Sequence, residues 1–116
     1  MKIGFFGTPE LSARVLQDCI AAGFEVAYVV SQPDRPVGRS AKLVPSPVSS
    51  IALAYNMLLF KPERVRGNTE FFNQIVEITV DYLVVVAYGK ILPDEILALP
   101  TILPINIHGS LLPKYR

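Results

Sequence analysis

The segment INIHGSLLPKYR, residues 105–116, contains the single histidine of the sequence. If residues 102–108 form a buried strand, Asn106 and His108 project from one face of it, because side chains alternate between the two faces of a strand. An amide and an imidazole side by side could stabilise the oxyanion of a tetrahedral intermediate, and the neutral imidazole could accept a proton from an attacking amine. The spacing is therefore typical of acyl transfer, and a structural histidine at a strand end is the alternative.

A second group of reactive side chains lies in residues 31–47, where four prolines interrupt any helix or strand periodicity. This stretch is predicted to be a long loop or an ordered excursion. It contains three basic residues, Arg35, Arg39 and Lys42, and a single acidic residue, Asp34. Such a basic segment could contact phosphates. Three charges are few for nucleic-acid binding, however, so a solvated surface loop is the alternative.

The first turn, GFFGTPE, stands where a dinucleotide-binding fold carries its glycine fingerprint. Gly4 and Gly7 are present, but no third glycine follows, and Ser31 and Gln32 replace the acid expected after the second strand. The pattern argues against NAD binding. It favours a tight turn at Gly7, with Thr8 as the N-cap of the following helix.

The elements that must position these residues alternate between strand and helix. Residues 2–6 predict a strand, and a helix then begins with Thr8 as N-cap and Pro9 at its first position and ends at Gly23. The further predicted elements are a strand at 24–30, a helix at 46–56 capped by Ser46, a strand at 57–60, a helix at 68–79 capped by Asn68 or Thr69, a buried strand at 82–89, a short helix at 93–100 and a fifth strand at 102–108. This order predicts an α/β fold, an open, doubly wound, mostly parallel sheet with functional groups at the carboxyl ends of its strands.

Composition narrows the class of protein. A chain of 116 residues with 51% hydrophobic and 18% charged residues is typical of one globular domain. The net charge of +1 gives no support for nucleic-acid or membrane binding through overall charge. The single cysteine, Cys19, excludes an internal disulfide, and no Cys/His spacing predicts a metal site. With no signal peptide or membrane-spanning run, we expect an unprocessed, soluble protein of the reducing cytoplasm that binds no membrane.

Five motifs in order, FFGTPEL, SQPDRPVGR, KLVPSPV, VVVAYGKILP and NIHGSLLPKYR, resemble the amino-terminal part of the methionyl-tRNA formyltransferase family, over essentially all 116 residues. The resemblance implies a Rossmann-like formyltransferase fold that ends here after about the fifth strand. It also implies transfer of a formyl group from 10-formyltetrahydrofolate to methionyl initiator tRNA in translation initiation. The N-x-H-x-S-L-L-P element is shared by the wider family of folate-dependent formyltransferases, so an enzyme acting on a sugar-nucleotide or purine-precursor amine is an alternative. A non-catalytic folate- or nucleotide-binding module is another.

The resemblance assigns roles to particular residues. It implies that Asn106 and His108 are catalytic and that no metal takes part. The residues that it assigns to the folate site are Ser110, Leu111, Leu112, Pro113, Tyr88, Gly89, Ile91 and Leu92. Arg35, Arg39 and Lys42 lie in what looks like the loop that contacts the acceptor stem of the tRNA.

This sequence departs from the family pattern at three positions. Pro104 stands where a small flexible residue is more common, and Ser40 and Ala41 replace residues that are commonly glycine or lysine.

Family members are also longer, with a further catalytic aspartate and a carboxy-terminal β-barrel domain. None of the aspartates of this chain falls in the matching motif; they are Asp18, Asp34, Asp81 and Asp94. We therefore interpret residues 1–116 as a partial catalytic domain that is inactive alone. We expect the full-length protein to be a monomer and the fragment to self-associate through an exposed sheet edge.

Overall fold

A computed structural model describes residues 1–39 and 41–107 of the chain. Its elements, in chain order, are β1 (Lys2–Gly7), α1 (Glu10–Ala21), β2 (Glu25–Val30), β3 (Arg35–Val37), β4 (Lys42–Val44), α2 (Pro47–Ala54), β5 (Leu59–Phe60), α3 (Thr69–Val76), β6 (Tyr82–Val86), α4 (Asp94–Leu97) and β7 (Leu103–Ile107). Five strands form one sheet in the order β5-β2-β1-β6-β7, and every neighbouring pair is parallel. The predicted α/β fold with an open, doubly wound parallel sheet is confirmed.

Helices cover both faces of the sheet because the central strands are apolar on both sides. On one face, Phe5 and Val84 pack with α1 and α2 through side chains such as Leu16. On the other face, Phe6 and Leu83 belong to the cluster that contains the apolar side chains of α3 and α4. None of the helices in the described residues is long and apolar enough to span a membrane.

The start of α1 differs from the prediction. Thr8 was expected to cap this helix, but the N-cap is Pro9, and no side chain caps the helix by a hydrogen bond. The Thr8 hydroxyl instead donates to the carbonyl of Tyr88 over 2.7 Å. At the other end the prediction holds: Gly23 has a φ of 90°, and the amide of Phe24 donates back to the carbonyl of Cys19, which ends the helix.

Both other predicted caps are confirmed. The Ser46 side chain accepts a hydrogen bond from the amide of Ser49 at 3.0 Å, with Pro47 as the first residue of α2. The Asn68 side chain accepts one from the amide of Phe71 at the same distance and so begins α3.

The proline-rich stretch contains a two-stranded antiparallel hairpin, β3–β4, which periodicity did not predict. Its strands have three residues each, too few for an alternating pattern to be recognised. Gly38 and Ala41, with φ values of 70° and 54°, provide the left-handed backbone at the tip. The predicted alternatives of long loop and ordered excursion are thereby resolved in favour of an ordered hairpin.

Strand β7 was expected to be buried, and this is wrong. All of its residues are exposed, and among the described strands it pairs with β6 alone. Because β7 is the last described strand at this edge of the sheet, its side chains lack the neighbours on a second strand that bury β1 and β6. Strand β6 also ends earlier than predicted, at Val86 instead of Gly89.

Candidate functional site

The carboxyl ends of the five parallel strands meet at one edge of the sheet, where open α/β folds bind ligands. A cavity of about 450 Å³ opens there between the β6–α4 connection and β7. Its lining residues are Val85, Ala87, Tyr88, Lys90, Ile91, Leu92, Leu97, Pro104, Ile105, Asn106 and Ile107. The cavity has the size and mainly apolar lining of a site for a small organic ligand.

Asn106 provides a side-chain amide on this lining. It pairs with Val85 in the ladder between β6 and β7, whereas Ile105 pairs with Val84 and Ile107 with Val86. Because Val84 and Val86 pack on the α1–α2 face, Asn106 lies on the opposite face, with Val85, as the alternation predicted. The predicted partner His108 lies outside the described residues.

Residues of the predicted folate site gather around the same cavity. Tyr88, Ile91 and Leu92 line it together with Asn106, although these residues come from separate parts of the sequence. Leu92 is buried, whereas Ile91 is 81% exposed, so an apolar ligand entering the cavity would cover its side chain. Gly89 is not part of the lining. The remaining predicted folate residues, Ser110, Leu111, Leu112 and Pro113, lie outside the described residues.

The turn that follows β6 forms one wall of the cavity and has an unusual backbone. Ala87 has a φ of 48° and Gly89 a φ of 103°, so two of three consecutive residues are in left-handed conformations. For an alanine this conformation costs roughly 1–2 kcal/mol. A backbone of this kind persists only where its surroundings hold it.

Three side chains from other parts of the fold hold this turn and the end of β6 before it through backbone carbonyl groups. Thr8 Oγ1 and Gln32 Nε2 both donate to the Tyr88 carbonyl, at 2.7 and 3.2 Å, and Ser12 Oγ donates to the carbonyl of Val86. Gln32 is buried, 4% exposed, and its side chain lies against Gly89. The one signal for these contacts in the sequence is position, since Thr8 and Gln32 each follow the carboxyl end of a strand.

Tyr88 itself points into the protein interior. Its ring packs edge-on against that of Phe6 with 5.3 Å between ring centroids, and only 2% of the residue is exposed. Its hydroxyl has no hydrogen-bonding partner among the described residues. Burial raises the pKa of Tyr88 to about 12, because the phenolate would lose its hydration.

The predicted tRNA-binding residues lie apart from the cavity lining, on the β3–β4 hairpin. Arg35 pairs with Val44 and Val37 with Lys42, so Arg35 and Lys42 share one face of the hairpin. Arg39 lies in the turn between the two strands, and the hairpin side chains are exposed. The structure thus brings the three basic residues together on one projecting element.

The base of the hairpin is attached to the sheet by polar contacts. Lys61, directly after β5, forms an ion pair with Asp34 at 2.9 Å. The hydroxyl groups of Ser31 and Ser46, one before and one after the hairpin, lie 2.6 Å apart. These contacts fix where the hairpin leaves the sheet.

Metal coordination has no candidate in residues 1–39 and 41–107. There, no three His, Cys, Asp or Glu side chains lie close enough to hold a metal ion. The cavity lining supplies one amide and one ammonium group, Asn106 and Lys90, within mainly apolar surroundings.

Comparisons with known proteins identify similar proteins over the whole length of this chain. The family model described as formyl transferase matches residues 1–116. The methionyl-tRNA formyltransferase of Chromobacterium violaceum is 50% identical over 116 residues, which are 100% of this chain and 38% of that protein. The enzyme of the same name from Caldicellulosiruptor saccharolyticus is 50% identical over 117 residues, 100% of this chain and 38% of that protein. The one from Enterococcus faecalis is 45% identical over 115 residues, 99% of this chain and 36% of that protein. The chain therefore spans less than two-fifths of the length of these relatives.

Proposed function

Because this chain belongs to the formyl transferase family, we propose that it is the amino-terminal part of an enzyme that transfers a formyl group from 10-formyltetrahydrofolate to the amino group of methionyl initiator tRNA. In this proposal residues 1–116 form part of the catalytic domain. The rest of that domain and a carboxy-terminal β-barrel domain would account for the additional length of the relatives. The enzyme would act in the cytoplasm, where its tRNA substrate is charged with methionine.

The observation that carries the proposal is the cavity at the carboxyl edge of the sheet. Asn106, Ile91 and Leu92 all line this cavity, and apolar side chains such as those of Ile91 and Leu92 suit the flat ring system of a folate. Its volume of about 450 Å³ is within the ordinary range for small-molecule sites. A folate bound there would have its formyl-bearing end within reach of the strand end that carries Asn106.

The chemistry follows from the side chains of this strand end. As the methionyl amine attacks the formyl carbon, the Asn106 amide donates to the oxygen that becomes negatively charged. His108 would take the proton that the amine loses as the new carbon–nitrogen bond forms. The bond from the formyl carbon to N10 then breaks, N10 is protonated, and tetrahydrofolate leaves. The further catalytic aspartate that the family resemblance implies would orient His108. Residues 1–116 do not include it, so we propose that they do not catalyse transfer alone.

Two further surfaces complete the proposal. Ser110, Leu111, Leu112 and Pro113 would continue the folate site beyond Asn106. Arg35, Arg39 and Lys42 would contact the phosphates of the acceptor stem, because the hairpin projects them from the sheet on one exposed element.

The oligomeric state follows from the edge strand. Leu103, Ile105 and Ile107 are exposed on β7, at 46%, 37% and 37%. A polypeptide limited to residues 1–116 would therefore self-associate through this edge. The full-length protein, which would cover it, is proposed to be a monomer. Light scattering of the two forms at equal concentration tests this pair of proposals.

The test of the function is formyl transfer by the full-length protein. We expect incorporation of the formyl group into methionyl initiator tRNA, detected by mass spectrometry of the released formylmethionine, and none without 10-formyltetrahydrofolate. Transfer to a sugar-nucleotide amine or to glycinamide ribonucleotide in place of the tRNA would identify another member of the family. Folate binding without transfer to any amine would identify a binding module.

A further inference from the structure

We infer that Thr8 and Gln32 are positioning residues for the formyl donor, because together they fix the backbone turn that forms one wall of the cavity. Neither residue lines the cavity, so neither is expected to touch the ligand. The inference rests on the proposed function for the identity of the ligand. The geometric part, that these side chains hold the turn, stands on the contacts alone.

Two donors converge on one acceptor at this turn. The hydroxyl of Thr8 and the amide of Gln32 donate to the same atom, the carbonyl oxygen of Tyr88. A carbonyl oxygen has two lone pairs, so this pair of donors satisfies it fully. The sequence separations are 80 and 56 residues, so three separate segments of the chain meet at this atom.

The Tyr88 carbonyl lies in the segment that leads into the cavity wall. Tyr88 lies between Ala87 and Gly89, both with positive φ. The orientation of the Tyr88–Gly89 peptide therefore decides how the chain enters the wall residues Ile91 and Leu92. If the donors were lost, Ala87 could relax towards a right-handed conformation, and the wall would move with it.

The two donors are themselves held in place. Gln32 is buried, and its side chain lies against Gly89. The Thr8 carbonyl accepts a hydrogen bond from the amide of Val48 in the first turn of α2, at 3.3 Å. Each donor follows the carboxyl end of a strand, so its hydrogen bond to the Tyr88 carbonyl links that strand end to the cavity wall.

Gln32 has an additional connection through its neighbour in the chain. Ser31 is hydrogen bonded to Ser46, so the residues on either side of the basic hairpin are joined at its base. Gln32 then joins this base to the wall of the cavity. A single buried side chain therefore connects the segment that carries Arg35 to the site that is proposed to hold the donor.

The test uses isosteric substitutions in the full-length protein. Thr8→Val removes the hydroxyl and keeps the shape, Thr8→Ser keeps the hydroxyl, and Gln32→Met keeps the length without the amide. Ser50→Ala serves as the control, because it removes a serine hydroxyl from the exposed face of α2. The readouts are amide hydrogen exchange of residues 88–90, calorimetric binding of 5-formyltetrahydrofolate, and KM and kcat with 10-formyltetrahydrofolate.

We expect Thr8→Val and Gln32→Met each to weaken folate binding and raise the donor KM by about fivefold to tenfold, the effect of one lost hydrogen bond, with kcat changed less than twofold. Exchange of residues 88–90 should be faster by about the same factor, while Thr8→Ser and Ser50→Ala remain near wild type. Exchange in Thr8→Val and Gln32→Met that equals wild type would overturn the inference. So would a Thr8→Ser variant as impaired as Thr8→Val.

The positioning role of Thr8 and Gln32 and the proposed function can fail separately. If the wild-type protein does not bind 5-formyltetrahydrofolate, the proposed function fails, and the exchange rates alone decide whether Thr8 and Gln32 hold the turn. If folate binds normally in all the variants, the wall does not depend on these donors, and the positioning role is refuted while the function stands.

Discussion

Tyr28 lies across Gly4, its partner in the parallel ladder between β1 and β2. A Cβ atom added to Gly4 would be 2.5 Å from Cζ of Tyr28 and 2.7 Å from its hydroxyl oxygen. Glycine at this position is therefore required for side-chain packing above the sheet. Gly4 belongs to the glycine pattern of the first turn, which resembles part of a phosphate-binding fingerprint. At this position, however, the glycine is explained by the packing of Tyr28 and not by phosphate binding.

Gly4→Ala should lower the free energy of unfolding by about 1–3 kcal/mol, because the added methyl group displaces a fully buried ring. Urea unfolding followed by circular dichroism measures the change. In a Tyr28→Leu background, which removes the clashing atoms, the same substitution should cost clearly less. An equal cost in both backgrounds would show that the ring is not the cause.

Tyr28→Phe should leave stability unchanged or raise it by up to about 1 kcal/mol. The hydroxyl is buried and has no hydrogen-bonding partner among the described residues, so its removal ends a desolvation cost without breaking a contact. Thermal unfolding compares this variant with Tyr55→Phe, a matched change at a residue that is 52% exposed. Destabilisation specific to Tyr28→Phe would mean that the hydroxyl has a partner in solution.

Stability should fall at high pH because of the buried tyrosines. Burial raises the pKa of Tyr88 from 10.0 to about 12 and that of Tyr28 further in the same direction. Above pH 10 the unfolded chain loses these protons while the folded protein retains them, so the unfolded state is favoured increasingly up to the folded pKa. The contribution of Tyr88 is full below pH 10 and is lost by about pH 12.

Tyr88→Phe provides the measurement. Between pH 10 and 12 its free energy of unfolding should decrease less steeply than that of wild type, by an accumulated difference of about 2 kcal/mol. Tyr55→Phe should retain the wild-type slope, because this tyrosine is exposed. Parallel curves for Tyr88→Phe and wild type would contradict the prediction.

On the proposed function, reversing charge on the hairpin should weaken use of tRNA without affecting folate binding. Arg35→Glu and Arg39→Glu should each lower kcat/KM for methionyl-tRNA by about tenfold. Each should also reduce the salt dependence of tRNA binding by the amount that corresponds to about one phosphate contact. Arg14→Glu, at an exposed position of α1, is the matched control and should change neither quantity. Equal effects of all three reversals would indicate a response to net charge instead of a hairpin contact.

Hydrophobic periodicity and capping residues are local signals, because they depend on residues close together in the sequence. They predicted the strands and helices whose order indicates a parallel sheet. Ser46, Asn68 and Gly23 act on the helices next to them, and each has its predicted role. Thr8 was assigned a local role as a cap, but its hydroxyl bonds to a residue 80 positions away. No local pattern could indicate that partner.

The candidate site was predictable to a similar extent. Alternation along the last strand placed Asn106 on the face opposite Ile105 and Ile107, and its pairing with Val85 agrees. The exposed edge at β7 agrees with the expectation from the sequence, but the exposure of all its side chains was not predicted, because a strand at the edge of a sheet can have the same apolar sequence as a central one. The contact of Gln32 with the β6–α4 turn depends on two loops meeting at the sheet edge, which follows from topology and not from spacing along the chain.

Asn106→Ala should reduce kcat for formyl transfer by roughly 10²–10³-fold, the usual cost of removing one donor to a developing oxyanion. Its side chain is exposed on β7, so folding should be preserved, and binding of 5-formyltetrahydrofolate should change less than about threefold if the amide acts mainly in the transition state. Single-turnover kinetics with the full-length protein separates the chemical step from binding. Asn73→Ala, an exposed asparagine on α3, is the matched control and should retain wild-type kcat. If Asn106→Ala raised KM for the donor and left kcat intact, Asn106 would be a binding residue of the cavity, and the oxyanion would need a different donor.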